Sequence, residues 1–220
     1  LVLALPLAPL WGTGTEHPVR TCKNLNAITE MQMTLFFSYD QGRTWDGPLI
    51  IYGGQNVSET DFVELPEGHL LCINNNIFAN PGRQFVYRNG KTWTPGPLEL
   101  ATNVRKRSDG VIPDGEHHKY NWVPETVCLT EDGILVGCLR CSIYQWSDDL
   151  GLTWQPLEGA LNLAPEMYQP WIHYLGEGRV VCAGHYGGDD PIGKVDQYLV
   201  LHSFRMEALR KTKVTRIHVE

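Results

Sequence analysis

Glu125 and Arg140 are the residues with the clearest prospect of doing chemistry. Glu125 stands directly before the apolar run TVCL, and Arg140 directly after ILVGCL, with Asp132-Gly133 between the runs. An acidic-Gly pair between apolar runs predicts a two-stranded antiparallel hairpin. Such a hairpin brings its two ends, and with them the carboxylate and the guanidinium, to one mouth. A guanidinium placed there can hold a substrate carboxylate in a two-pronged clamp. The same two residues also read as a structural ion pair that fixes the mouth.

Two further segments have the same form. Asp61-FVELPEGHLLCIN turns at Glu67-Gly68, and Gln169-PWIHYLGEGRVVCAGH turns at Glu177-Gly178. Their mouths place Asp61 with Asn75 or Asn76, and Gln169 with His185. His185 and Tyr186 open the Gly-rich polar loop HYGGDD. His185 could bind a sugar hydroxyl or weakly bind an anion, although strand ends are commonly wet and polar without any such role. Between the hairpins, Asp114, Glu116, His117 and His118 are of types that hold a divalent cation, but adjacent histidines on an extended chain point apart. No metal and no cofactor are expected. The chain has no P-loop, dinucleotide-binding glycines, G-x-S-x-G elbow or H-E-x-x-H.

The elements that position these residues repeat. A third strand follows each hairpin, at residues 83–87, 143–147 and 197–204. A fourth lies near residues 97–101, 154–158 and 213–220. The amino-terminal part fits the same plan with its first strand missing, using residues 1–9, 31–38 and 48–52. One weak helical candidate covers residues 204–211. The expected fold class is therefore all-β, a β-propeller of four-stranded antiparallel blades at residues 1–55, 56–102, 120–160 and 166–220. A β-sandwich is the alternative, but it does not predict equivalent hairpins at near-regular spacing. The composition agrees: 22 Gly and 14 Pro among 220 residues supply many turns. With 18 basic and 25 acidic residues the formal net charge is −7, which argues against a nucleic-acid partner. No stretch is long and apolar enough to span a bilayer as a helix. The opening LVLALPLAPLW reads as a strand entered midway or as a signal remnant. Of the six cysteines, Cys72, Cys138 and Cys182 fall in apolar strand-like runs and read as buried free thiols.

Two segments carry a sharper motif. Ser38-Tyr-Asp40-Gln-Gly42-Arg-Thr44-Trp45 and Ser147-Asp-Asp149-Leu-Gly151-Leu-Thr153-Trp154 both read S-x-D-x-G-x-T-W, and Asn89-Gly-Lys-Thr92-Trp93 is a degenerate third copy. The aspartate can accept hydrogen bonds from turn amides, and the glycine supplies a positive φ. This motif is the Asp-box, and on it the chain resembles the sialidase-like six-bladed propellers. Six blades at this repeat length need about 330 residues, so the resemblance implies a partial ring of about four blades.

The resemblance also implies a function. Sialidase-like enzymes are glycoside hydrolases that act on terminal sugars of glycans in a central cavity. They use three clamp arginines, a tyrosine nucleophile assisted by a glutamate, and an aspartate acid/base. In that family a Glu begins the first strand of a blade and an Arg ends the next strand, ahead of an Asp-box, as Glu125 and Arg140 do here. Glu125 would be the carboxylate that activates the tyrosine, and Arg140 a clamp arginine. Asp61, Asn76, His185 and Tyr186 would line the substrate, with Tyr120, Tyr168 and Tyr186 as candidate nucleophiles. His185 stands where another clamp arginine would be expected, and the remaining catalytic groups would lie in blades outside this sequence. The alternative is a non-catalytic Asp-box propeller that binds glycans or protein partners. A secreted or periplasmic setting follows from the resemblance alone.

Overall fold

A computed structural model describes residues 2–7, 32–51, 59–75, 81–105, 120–140, 142–157, 167–186, 198–206 and 217–219. Among these residues there are fifteen β-strands and no helix. Sheet I orders β1 (Val2–Leu7), β2 (Gln32–Phe37) and β3 (Asp46–Ile51). Sheet II orders β4 (Glu59–Glu64), β5 (Leu70–Asn75), β6 (Gly82–Asn89) and β7 (Thr92–Leu100). Sheet III comprises β8 (Thr126–Leu129), β9 (Leu135–Leu139), β10 (Ile143–Ser147) and β11 (Gln155–Pro156). Sheet IV comprises β12 (Tyr168–Gly176), β13 (Arg179–Tyr186), β14 (Tyr198–Met206) and β15 (Ile217–Val219). Every pairing is antiparallel and joins strands consecutive in sequence. The expected hairpins and their third and fourth strands are all present. The fold is all-β, built of three four-stranded antiparallel sheets and one three-stranded sheet.

The apolar runs are continuous because the inner sheets are covered on both faces, whereas one-sided burial gives alternation. In β5, Leu70 and Cys72 pack against Met33, Leu35 and Phe37 of sheet I, while Leu71 and Ile73 pack against Val127, Leu135 and Trp154 of sheet III. In β9, Leu135 faces sheet II, and Val136 and Cys138 face Ile172, Val180 and Cys182 of sheet IV. The core is thus three apolar layers, each between successive sheets. Among the described residues, sheet IV is covered on one side only. Its other face presents Trp171, Leu199 and Leu201, which are 76%, 79% and 63% exposed.

Both full Asp-boxes form the same turn, between β2 and β3 in sheet I and between β10 and β11 in sheet III. In sheet III, Thr153 donates its backbone N–H to Asp149 Oδ1 at 2.9 Å and its hydroxyl to Oδ2 at 2.7 Å. Ser147 Oγ accepts the Gly151 N–H at 2.8 Å, with Gly151 at φ +89°. Trp154 Nε1 donates to Gly151 O at 3.1 Å. The sheet I copy repeats these bonds through Asp40, Thr44, Ser38, Gly42 and Trp45. The copies differ in burial: Trp154 is fully buried and Trp45 is 41% exposed. The connection leaving sheet II makes part of the difference. Asn103 accepts the Trp154 N–H at 2.9 Å and donates to its carbonyl at 2.7 Å, and Thr102 N–H bonds Leu152 O.

Two expectations change. The degenerate third copy is not an Asp-box: Asn89 pairs directly with Thr92 across a two-residue turn with Gly90 at φ +62°. With no aspartate to organise a longer turn, its Trp93 stacks on Phe37 of sheet I, ring centroids 4.5 Å apart. The helical candidate at residues 204–211 begins instead as strand, because Phe204, Arg205 and Met206 pair with β15. Residues 207–211 lie outside the described residues.

Candidate functional site at the hairpin mouths

The turns at Gly68, Gly133 and Gly178 close one end of the three hairpins, each glycine with positive φ (78°, 80° and 74°). The mouths lie at the other end. Sheet III forms the most complete one. Glu125 N–H donates to Cys138 O at 3.1 Å, extending the β8–β9 ladder by one bond and fixing the glutamate at the edge. Gly137 lets the chain before Glu125 come close, since a Cβ there would sit 2.3 Å from Pro124 Cγ and 3.0 Å from Thr126 O. Arg140 follows β9, and its Nε lies 2.9 Å from Glu125 Oε1. The glutamate side chain is 8% exposed and the arginine 36%. A nearly buried carboxylate therefore orients a guanidinium that still reaches solvent.

Aromatic residues pack beside this pair. Trp122 forms a buried cluster with Leu139 and Ile143, next to Arg140 in sequence and across the start of β10. Tyr120 packs on that cluster, edge-on to Trp122 at 6.5 Å, and Arg105 lies over the Tyr120 ring at 4.3 Å. The structure thus brings a second guanidinium, Arg105, to the same end of sheet III. Sequence reasoning did not single out Arg105. Its signal was only the basic run Arg105-Lys106-Arg107, a pattern most often found on a solvated loop.

The other mouths differ in register from expectation. Asp61 pairs with Ile73, and Glu59 faces Asn75, because β4 starts two residues before Asp61. Asp61 therefore lies inside the strand, on the face toward sheet III. Its Oδ2 accepts the Thr126 hydroxyl at 2.8 Å and the Val127 N–H at 2.9 Å, and its Oδ1 accepts the Phe62 N–H at 2.8 Å. Burial pushes its carboxyl above the usual carboxylate range, against the pull of these three bonds. Asp61 joins two sheets here. Asn76 lies outside the described residues, as do the loop holding Asp114, Glu116, His117 and His118, and Cys22 and Cys141.

In sheet IV, Tyr168 rather than Gln169 faces His185, with the rings stacked at 6.2 Å. The extra residue is absorbed by a bulge between Tyr168 and Trp171, where Gln169 adopts φ +46°. Tyr186 is the last residue of β13. The first strands of sheets II, III and IV are linked through Thr126, whose Oγ1 bonds Asp61 and accepts the Ile172 N–H at 3.3 Å.

Away from the mouths, Cys72, Cys128, Cys138 and Cys182 are buried free thiols. Burial pushes the Cys72 and Cys128 thiols up to about 12, so neither is a ready nucleophile. Among the described residues no group of three or more His, Cys, Asp or Glu is placed to hold a metal ion, and no helix is long and apolar enough to cross a membrane.

No family model matches the chain, and no curated protein matches it. Among solved structures, it is similar to a protein of unknown function from Dyadobacter fermentans DSM 18053, at 16% identity and a TM-score of 0.41. That likeness covers 79% of this chain and 47% of the other, so the chain spans about half the length of the structure it matches.

Proposed function

We propose that these sheets are blades of a sialidase-like Asp-box propeller, and that the mouth of sheet III binds the acidic terminal sugar of a glycan. The observation that carries this reading is the Glu125–Arg140 pair, a 2.9 Å contact in which the carboxylate is 8% exposed and the guanidinium 36%. Held from behind by Glu125, Arg140 can offer its outer edge to a sugar carboxylate with little loss of side-chain freedom. Arg105 supplies a second positive charge at that end. The two full Asp-boxes, with matching hydrogen bonds, support the propeller.

Hydrolysis by the sialidase route would take a tyrosine activated by Glu125, and Tyr120 packs at the same end of the sheet. A second reading, glycan binding without hydrolysis, is favoured by one observation: the carboxylates near this mouth are engaged, Glu125 with Arg140 and Asp61 with Thr126 and Val127. The test is turnover of a fluorogenic sialoside, alongside glycan binding, by the full-length protein and its Arg140→Ala variant. Turnover that falls at least 100-fold in the variant supports the enzyme reading. Binding without turnover, lost in the variant, supports the binding module. Binding and turnover both unchanged by the substitution overturn the site.

A further inference from the structure

A second feature lies at the opposite end of the sheets, beside the first Asp-box. A cleft of about 340 Å³ opens between sheets I and II, near the lower end of the range for small-molecule pockets, about 300–1,000 Å³. Phe37 and Leu70 form its apolar floor, Tyr39 and Trp93 stand at its side, and Glu64 and Arg88 are its charged residues. The register explains the layout. Glu64 pairs with Leu70, and Leu70 with Val86, so these three form one row across sheet II on the face toward sheet I. Arg88 lies two residues beyond Val86 on that same face and pairs with Trp93. The carboxylate and the guanidinium thus flank the leucine floor from opposite sides.

Arg88 is held in place without being neutralised. Its guanidinium lies 5.4 Å from the Trp93 ring centroid and 6.0 Å from that of Tyr39, and its Nε donates to Gly90 O at 2.9 Å. The rings are themselves fixed: Trp93 stacks on Phe37, its Nε1 donates to Tyr39 Oη at 2.6 Å, and Tyr39 donates to Lys91 O at 2.9 Å. Lys91 Nζ sits over the Tyr39 ring at 5.5 Å, adding positive charge to the same rim. Among the described residues no carboxylate pairs with Arg88. A cation immobilised on aromatic faces in the lining of a cleft is arranged to receive a carboxylate. Glu64 across the floor is an acceptor for a hydroxyl or an ammonium group.

We infer that this cleft binds a small carboxylate bearing a hydroxyl or amino group, its carboxylate on Arg88, its donor group on Glu64 and its body over Leu70 and Phe37. A uronic acid and an aliphatic amino acid share that chemistry. The site is separate from the mouth of sheet III and does not depend on its function.

The test follows the Trp93 indole N–H resonance, assigned by Trp93→Phe, while D-glucuronate or L-leucine is titrated into the full chain. D-Glucose and L-leucinamide serve as carboxylate-free controls. The expected result is a saturable shift with at least one carboxylate, in the millimolar range or tighter, weakened at least tenfold in Arg88→Gln and absent with the controls. Glucuronate binding identifies the sugar source, and leucine binding the amino-acid source. A far-ultraviolet spectrum and melting temperature matching the parent confirm that Arg88→Gln is folded, and Arg88→Lys, which keeps the charge but loses the fork, should bind with intermediate strength. No saturable shift with either carboxylate at 50 mM, or equal binding by folded Arg88→Gln, overturns the proposal.

Discussion

Thr126 donates its hydroxyl to Asp61 across the boundary between sheets II and III at 2.8 Å, and the same oxygen accepts the Ile172 N–H of sheet IV at 3.3 Å. One side chain of the first residue of β8 therefore ties together the first strands of three sheets. Replacing Thr126 by Val keeps the shape but removes both roles of the hydroxyl. It leaves one bond fewer on the Asp61 carboxylate and a backbone N–H without its acceptor. The expected cost is about 2–3 kcal/mol in urea unfolding. A loss under 0.5 kcal/mol would show that this link contributes little.

Asp61 and Asp40 should give opposite pH dependences. The Asp61 pKa is raised above 3.8, with burial as the largest cause. The folded state then holds the proton more tightly than the unfolded chain, so this contribution is fully present below the unfolded pKa and is lost as pH rises through the folded one. Asp40 is lowered from 3.8 to about 2, first by the Thr44 hydroxyl and then by the Thr44 N–H. Its contribution is present above 3.8 and lost as pH falls toward 2. Melting temperatures from pH 2 to 6 should show the acid-side loss reduced in Asp40→Asn and the opposing slope removed in Asp61→Asn.

The two Asp-boxes should not contribute equally. Asp149→Ala removes an acceptor used by Thr153 N–H, Thr153 Oγ1, Leu152 N–H and Ser147 Oγ beside the fully buried Trp154. A loss of about 2–4 kcal/mol is expected. Asp40→Ala, in the copy with the exposed Trp45, should lower the urea midpoint by a smaller amount. Equal shifts would mean that burial of the motif does not set its contribution.

Asn103 is a further target. Its amide bonds both the N–H and the carbonyl of Trp154, so Asn103→Ala should cost about 1–3 kcal/mol, with Asn103→Asp costing at least as much because the carboxylate cannot donate to the carbonyl. Chemical denaturation followed by tryptophan fluorescence reads both variants.

The uncovered face of sheet IV should be visible to a dye. Trp171 on β12 and Leu199 and Leu201 on β14 are exposed apolar residues on either side of β13, and such patches bind hydrophobic probes and promote association. Leu199→Lys with Leu201→Lys should reduce anilinonaphthalene sulfonate fluorescence several-fold and raise solubility. A signal unchanged by the pair would place the apolar surface elsewhere.

Local chemistry made the sheets legible in the sequence, and packing between sheets did not. The acidic-Gly turns and Asp-boxes are short-range signals, and strands placed from them agree with the structure to within a few residues, apart from the early start of β7. The Glu125–Arg140 mouth was legible for the same reason, since a two-residue turn fixes which ends meet. Asp61 was misplaced because its partners, Thr126 and Val127, are more than sixty positions away, and no turn pattern encodes which sheet packs alongside. The bulge at Gln169 shifted the sheet IV mouth by one residue; Pro170 marks an edge strand or a bulge there without fixing the register. The Arg88 cleft was hidden because Trp93 looked like the end of a worn Asp-box, whereas its ring belongs to a layer shared with sheet I.

The layered core has a consequence for how the molecule comes apart. The three buried clusters that lie between sheets each join one sheet only to the next, so stability behaves as a chain of nearest-neighbour couplings. In such an array a sheet with a neighbour on each side is held twice and a sheet with one neighbour once. Among the described residues only sheets II and III have a neighbour on each side, so amide hydrogen exchange in this chain should be slowest in β5 and β9 and faster in β2 and β14.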